Sequence, residues 1–543
     1  MTIARESAAI SAAVGEGNAP GLDGIGAEDG GLSLTTAELM ALGGDARITL
    51  DEQSGLNSYG CAPKPMPAIA YASSTASTVS AGAFAQARAY HFQLQQAAAA
   101  KSVAEVYADG MQEARRRLCH LYGLTDGVDI AFGPSGTDLE YLVVATAMRG
   151  GRRVRNIVVE VDEVGSGCLN AQKARYFAPR TALGRDVEIG APVPGFPEGA
   201  VTVETIGVRN EDGSLRRSAE RRQALEACIA AAIDAGQRPL LHVVHRSKTG
   251  LIAPRPETLA ELARRFGEKL DIVVDACQGR ISPEMIRDYL ALGAVVFVTG
   301  SKFLGGPPFS AFALVPEGIS SRMRGGEPAP EGLGGFFARG EMPASWTATD
   351  GALPEVANFG LLLRLECGLF ELSRLLAFPD SAVDKTITAF GEAVRALPGG
   401  APLRLLDGGG EAGDDEGLHP LDRTMLHTFE LTSPHPWRGG PLSMDDARAV
   451  YLMLFSDMSD RFRDPRERMI AAETVHVGQP VRCARRNDGS WRATLRLSLS
   501  APQIGEVAGL DEEALLRRFR TDLDWICAKI ELLLPLLPKQ EAA

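Results

Sequence analysis

The chain has 543 residues, with 56 Lys+Arg against 69 Asp+Glu and a formal charge of −13, a balance that disfavours nucleic acid or an anionic membrane as the main partner. Its 45% hydrophobic and 23% charged residues lie well away from the low-hydrophobicity, high-charge signature of disorder.

The first fifty residues, rich in Gly, Ala, Ser and acid, read as a loose arm or substrate-covering extension, drawn here to residue 79. Residues 80–120 have helical composition with a break near Lys101. Strand, Gly/Ser turn and helix follow at 128–132, 133–138 and 139–148. Further strands are expected at 155–161, 201–207, 239–245, 271–275 and 294–299. The intervening helices are expected at 166–177, 218–235, 256–270 and 283–292. This alternation predicts an α/β fold, a three-layer sandwich on a mostly parallel sheet. The character changes after Pro316, through a Gly/Pro loop at 325–340 and an apolar helix at 358–377. An acidic loop at 407–416, an alternating strand at 491–499 and a closing helix at 511–534 complete a smaller α+β unit. The expected division is an arm at 1–79, a large domain at 80–345 and a small C-terminal domain at 346–543.

No stretch reaches the roughly 18 to 20 uncharged apolar residues of a membrane-crossing helix. The start of the chain carries Glu6 and Glu16 without a basic region and reads poorly as a signal peptide, so a cytoplasmic protein is expected. Eight cysteines at long spacings, with no CxxC pair, predict reduced thiols and no metal site.

The chemistry concentrates in VVDACQGRISPEMIRDYLALGAVVFVTGSKFLGGPP, residues 273–308. Asp275 ends one buried strand, and Lys302 follows the next inside a Thr/Gly/Ser turn. In an open α/β sheet both emerge in the crevice at the carboxyl ends of the strands. A lysine amine beside a carboxylate suits pyridoxal phosphate, whose aldehyde takes the amine and whose ring nitrogen is kept protonated by the acid. GPSGTD at 133–138, before a helix, offers N–H groups and hydroxyls for the phosphate.

DACQ with TGSK resembles the fold-type I pyridoxal-phosphate enzymes, and more narrowly the class V aminotransferase and cysteine desulfurase group. The resemblance implies that Lys302 is the Schiff-base lysine, Asp275 pairs with the pyridine nitrogen and Gln278 bonds the phenolic oxygen. It places Thr299 and Ser301 on one side of the phosphate and Ser135, Gly136 and Thr137 on the other. In ATLRLSLS, residues 493–500, Arg496 matches the arginine that holds the substrate α-carboxylate. The resemblance also implies a homodimer with the site at the subunit interface, and Lys302 as the base for the Cα proton of an amino-acid substrate.

Two stretches depart from that pattern. The position of the ring that stacks on the cofactor falls near Glu163 or Val164, neither of them aromatic. The cofactor edge reads HVVHRSKTG, so Arg246 or Ser247 takes it, with His245 beside them. Lys248, which precedes the carboxylate strand, reads as a surface turn lysine, and His120 and His245 as structural histidines. Cys277 is expected to pack inward. A cysteine desulfurase is disfavoured because no cysteine lies between Cys367 and Cys483. The expected activity is aminotransferase-type. A lyase or β/γ-elimination or replacement enzyme is the alternative, and a non-catalytic scaffold on the same fold is the reading from another class.

Overall fold

The computed structural model describes residues 29–211, 213–406, 415, 417–433 and 441–538. The arm before residue 29 and all of the acidic loop except Asp415 lie outside the described residues.

Among the described residues twelve strands run in chain order. They are β1 (Ile69–Tyr71), β2 (Val128–Gly133), β3 (Val154–Val159), β4 (Val201–Ile206), β5 (Arg238–Val244), β6 (Asp271–Ala276), β7 (Val295–Thr299), β8 (Ala311–Pro316), β9 (Leu403–Leu405), β10 (Leu426–Leu431), β11 (Val475–Val477) and β12 (Thr494–Ser498). The main sheet has the order β2-β8-β7-β6-β5-β3-β4. Strands β7, β6, β5, β3 and β4 are parallel neighbours, and β8 runs against both β7 and β2. Strand β8 is not among the strands expected from the sequence, the last of which before the change in character is 294–299.

The central strands are uninterrupted apolar runs because helices cover both faces. In β6, Ile272 and Val274 enter one core with Leu259, Ile286 and Leu362, while Val273 enters the other with Leu142, Phe336 and Phe337. Helix Gly136–Ala147 fills the second face, where Tyr141 stacks on Phe336 at 4.3 Å. On the first face, helix Phe359–Leu376 is buried against helices Ala81–Ala98 and Val103–Tyr122. A side chain at Gly368 on this helix would stand 3.1 Å from the Gly300 Cα, so two glycines let the helix touch the turn that carries Lys302.

One expected element is much shorter. Residues 166–177 form only the turn of helix Cys168–Ala171, because Gly167 precedes it and Ala174 takes φ +54°, which reverses the chain.

The small unit packs helices Asp380–Arg395 and Glu512–Leu533 on the antiparallel sheet β12-β10-β9. The segment before helix Ala81–Ala98 is tied into it. β1 pairs with β11, and Ala72 bridges to Ser498. Farther back, the buried Arg364 donates to the carbonyls of Met40, Leu42 and Gly43. Among the described residues no helix is long and apolar enough to cross a membrane.

Candidate active site

Register brings the carboxyl ends of four strands to one edge. Gly133 of β2 and Thr299 of β7 both stand opposite Ala311 of β8, and Val244, Asp275 and Phe297 form the adjoining row across β5, β6 and β7. The strand order reverses between β3 and β5, with β4 on one side of β3 and β5 on the other, and α/β sheets open a ligand crevice at such a reversal.

The turns after these strands lock together. The Thr299 hydroxyl donates to the Cys277 carbonyl at 2.6 Å, and the Phe303 N–H donates to the Gln278 carbonyl at 3.3 Å. The Lys302 turn is closed by Gly305 N–H to the Lys302 carbonyl and by Gly306 N–H to the Gly300 carbonyl. Asp275 is half-buried, its Oδ1 accepting the Cys277 N–H at 2.9 Å. Lys302 is half-buried too, and its Nζ has no hydrogen-bond or ion-pair partner among the described residues. Cys277 packs inward as expected, its thiol pushed up by burial and by the neighbouring Asp275 while Lys302 pulls it down.

Ser135 caps helix Gly136–Ala147, its oxygen accepting the Asp138 N–H at 3.2 Å. Gly136 and Thr137 open the helix, so their N–H groups have no intrahelical acceptor and are of the kind that can hold an anion. Thr137 Oγ1 lies 3.6 Å from Cys168 Sγ, and Cys168 in turn feels the charges of Asp275 and Lys248. Asp138 is buried and raised to about 7, first by burial and then by Asp45, so its carboxyl is only partly ionised around neutrality.

The other residues named from sequence divide. The Ser301 hydroxyl donates to no described residue. Gln278 is engaged at both ends, Nε2 donating to the Ser74 carbonyl at 3.1 Å and Oε1 accepting from Arg280 at 2.7 Å. Ser247 Oγ donates to Glu163 at 2.6 Å and accepts the Leu251 N–H. Glu163 itself accepts from Arg209, Ser247 and Thr249; burial raises its carboxyl, but these partners together bring it below the usual range. Arg246 does not face the crevice: with φ +50° it turns toward the small unit and donates to Asp422, Thr424 and Asp415. His245 is buried between Tyr289 and Asp422, as expected of a structural histidine.

Arg496 on β12 reaches the crevice from the small unit. Its Nε donates to the Gln479 carbonyl, Nη1 to the carbonyls of Ser74 and Lys248, and Nη2 to Thr75 Oγ1. It is 3% exposed without an ion pair among the described residues, and burial lowers it to about 10. A buried guanidinium without a counter-anion is costly to keep charged, and an anion bound there would offset that cost.

Two groups escaped the sequence reading. The hydroxyl-rich run at 73–78, assigned to the arm, lies in the site: Ser77 Oγ donates to the Lys302 carbonyl at 2.7 Å, and Ser73 meets Arg280. Its signal was the density of Ser and Thr in SSTAST. Lys248 is not a surface lysine. It is half-buried with its carbonyl on Arg496, and burial together with the charges of Arg496 and Lys302 lowers its proton affinity.

The donor set fits pyridoxal phosphate: a free amine, a carboxylate with one oxygen fixed by backbone, a helix start with hydroxyls, and an unpaired arginine.

No protein-family model and no curated protein matches the chain. Among solved structures, it resembles the cystine C-S lyase C-DES in complex with its reaction product cysteine persulfide, at 13% identity and a TM-score of 0.50, covering 84% of this chain and 97% of that one. It also resembles a cysteine desulfurase from Escherichia coli (13% identity, TM-score 0.49, 87% and 96% covered). A third is the Oryza sativa TDC with PLP (14% identity, TM-score 0.45, 85% and 83% covered). The chain has the α/β fold with a mostly parallel central sheet that fold-type I pyridoxal-phosphate enzymes share.

Proposed function

We propose that the protein is a pyridoxal-phosphate-dependent enzyme of the aminotransferase type, acting as a homodimer on an amino acid or an amino-acid-derived substrate. The observation that carries this reading is the closed ring of turns that holds the unpartnered Lys302 amine, the backbone-fixed Asp275 carboxylate and the helix start at Gly136 on one sheet edge. When bound, the cofactor supplies an aldehyde that takes amines and a ring that absorbs electron density from the bond being broken.

The chain supplies the rest. Asp275 holds a proton at the ring nitrogen. The N–H groups of Gly136 and Thr137, with the hydroxyls of Thr137 and Ser301, hold the phosphate, while the Ser135 hydroxyl, which donates to Asp138 at 2.5 Å, fixes the helix start. Lys302 provides the amine and, once released, the base that takes the Cα proton. Arg496 orients the α-carboxylate.

The test is an amino-acid panel on the cofactor-loaded protein, followed by its visible absorption and by product analysis. Transamination predicts loss of the visible band with a keto acid and no free ammonia. A keto acid released with ammonia overturns the aminotransferase type and assigns elimination. A protein that stays colourless with added pyridoxal phosphate overturns the whole reading.

A further inference from the structure

Lys248 has no task in the reading above, yet the fold fixes it inside the site. Its turn is clamped on both sides: Ser247 Oγ and Thr249 Oγ1 donate to Glu163 at 2.6 and 2.7 Å, and the Thr249 N–H joins them at 3.1 Å. Lys248's own carbonyl takes Arg496 Nη1 at 3.0 Å. Arg496 is thus held to the backbone of the turn that carries Lys248.

Their surroundings leave both charges, Lys248 and Arg496, without a direct ion pair among the described residues, although the chain as a whole carries −13. Glu163 is near enough to act on both, but its two oxygens are occupied by Arg209, Ser247 and Thr249. Arg496 has committed four donations to Gln479, Ser74, Lys248 and Thr75, which leaves one of its five N–H groups for a ligand. A single carboxylate on that N–H leaves a second positive charge in a half-buried place, a costly arrangement unless a second anion arrives with it.

Resting on the proposed function, we infer that the substrate is an amino acid with a second acidic group, which Lys248 binds while Arg496 holds the α-carboxylate. Lys248 is then the specificity residue of the site. Its neighbours explain why an ammonium there gains from a further anion: burial and the charges of Arg496 and Lys302 work against its proton, and Glu163 and Cys168 offset them only in part.

The experiment titrates the cofactor-loaded protein with aspartate and glutamate against asparagine and glutamine, reading affinity from the visible spectrum. Thermal shifts of the cofactor-free protein with succinate against butyrate give a readout that needs no cofactor. Wild type should favour each acid over its amide by about tenfold or more, the usual worth of a hydrogen bond to a charged group. Succinate should stabilise more than butyrate. Lys248→Gln should abolish both preferences, and Lys248→Arg should retain them, which separates charge recognition from loss of folding. Equal binding of acid and amide by a coloured wild-type protein overturns this inference and leaves the cofactor reading standing. So does a Lys248→Gln protein that loses cofactor affinity while keeping the acid preference. A protein that never acquires colour overturns both.

Discussion

Gly136 has no room for a side chain. A Cβ there would overlap Cys277 Sγ, so the phosphate-facing turn and the Asp275 turn touch through a glycine and a thiol. The two residues are therefore one packing unit. Gly136→Ala is expected to destabilise by about 1–3 kcal/mol through overpacking and to weaken cofactor binding, because either the helix start or Cys277 must move. Cys277→Ala should relieve most of that cost in the double variant. Urea unfolding of the four proteins in a double-mutant cycle checks it, and strictly additive effects would contradict the contact. At this scale the sequence was legible for Asp275, Lys302 and Cys277, whose positions follow from one strand-turn pattern. It was not legible for Lys248, because the burial of its turn is decided by Arg496 on a distant strand.

Among elements, the junction of helix Val103–Tyr122 with the turn Arg339–Glu341 carries the clearest pH signature. The Tyr107 hydroxyl donates to Glu341 Oε1 at 2.9 Å, and the Ala338 N–H donates to Oε2 at 3.1 Å. Glu341 is fully buried, and burial raises its carboxyl to about 8. The unfolded chain releases this proton near 4.5 while the folded chain keeps it to about 8. Between those values the folded state binds more protons, so stability falls as pH rises. Glu341→Gln should flatten that fall by up to about 1.4 kcal/mol per pH unit. Urea midpoints at pH 6 and pH 8 measure it, and an unchanged slope would contradict the assignment. The long apolar strands β5, β6 and β7 were legible because both faces are covered, which makes the pattern unambiguous. Strand β8 was hidden by the Gly/Pro turn before it, and the expected helix at 166–177 was unmade by backbone reversal at Ala174, which composition does not reveal.

At the scale of the molecule, the site is an assembly of three parts distant in the chain. The main sheet brings Asp275, Lys302 and the Gly136 helix, the small unit brings Arg496, and the segment at 73–78 lies between them, bonded to Lys302, Gln278 and Arg496. Parallel topology made the first part readable, since strand ends on one edge share a crevice. The third was not, because its place depends on β1 joining β11 some four hundred residues later. An acidic chain thereby gathers three lysine or arginine cations around one crevice, and only one of the two lysines is assigned the covalent task. Borohydride reduction of the cofactor-loaded protein, followed by peptide mass mapping, decides this most directly. The reduced cofactor is expected on Lys302 and on nothing in Lys302→Ala; a label on Lys248, or no label in wild type, overturns the assignment of Lys302.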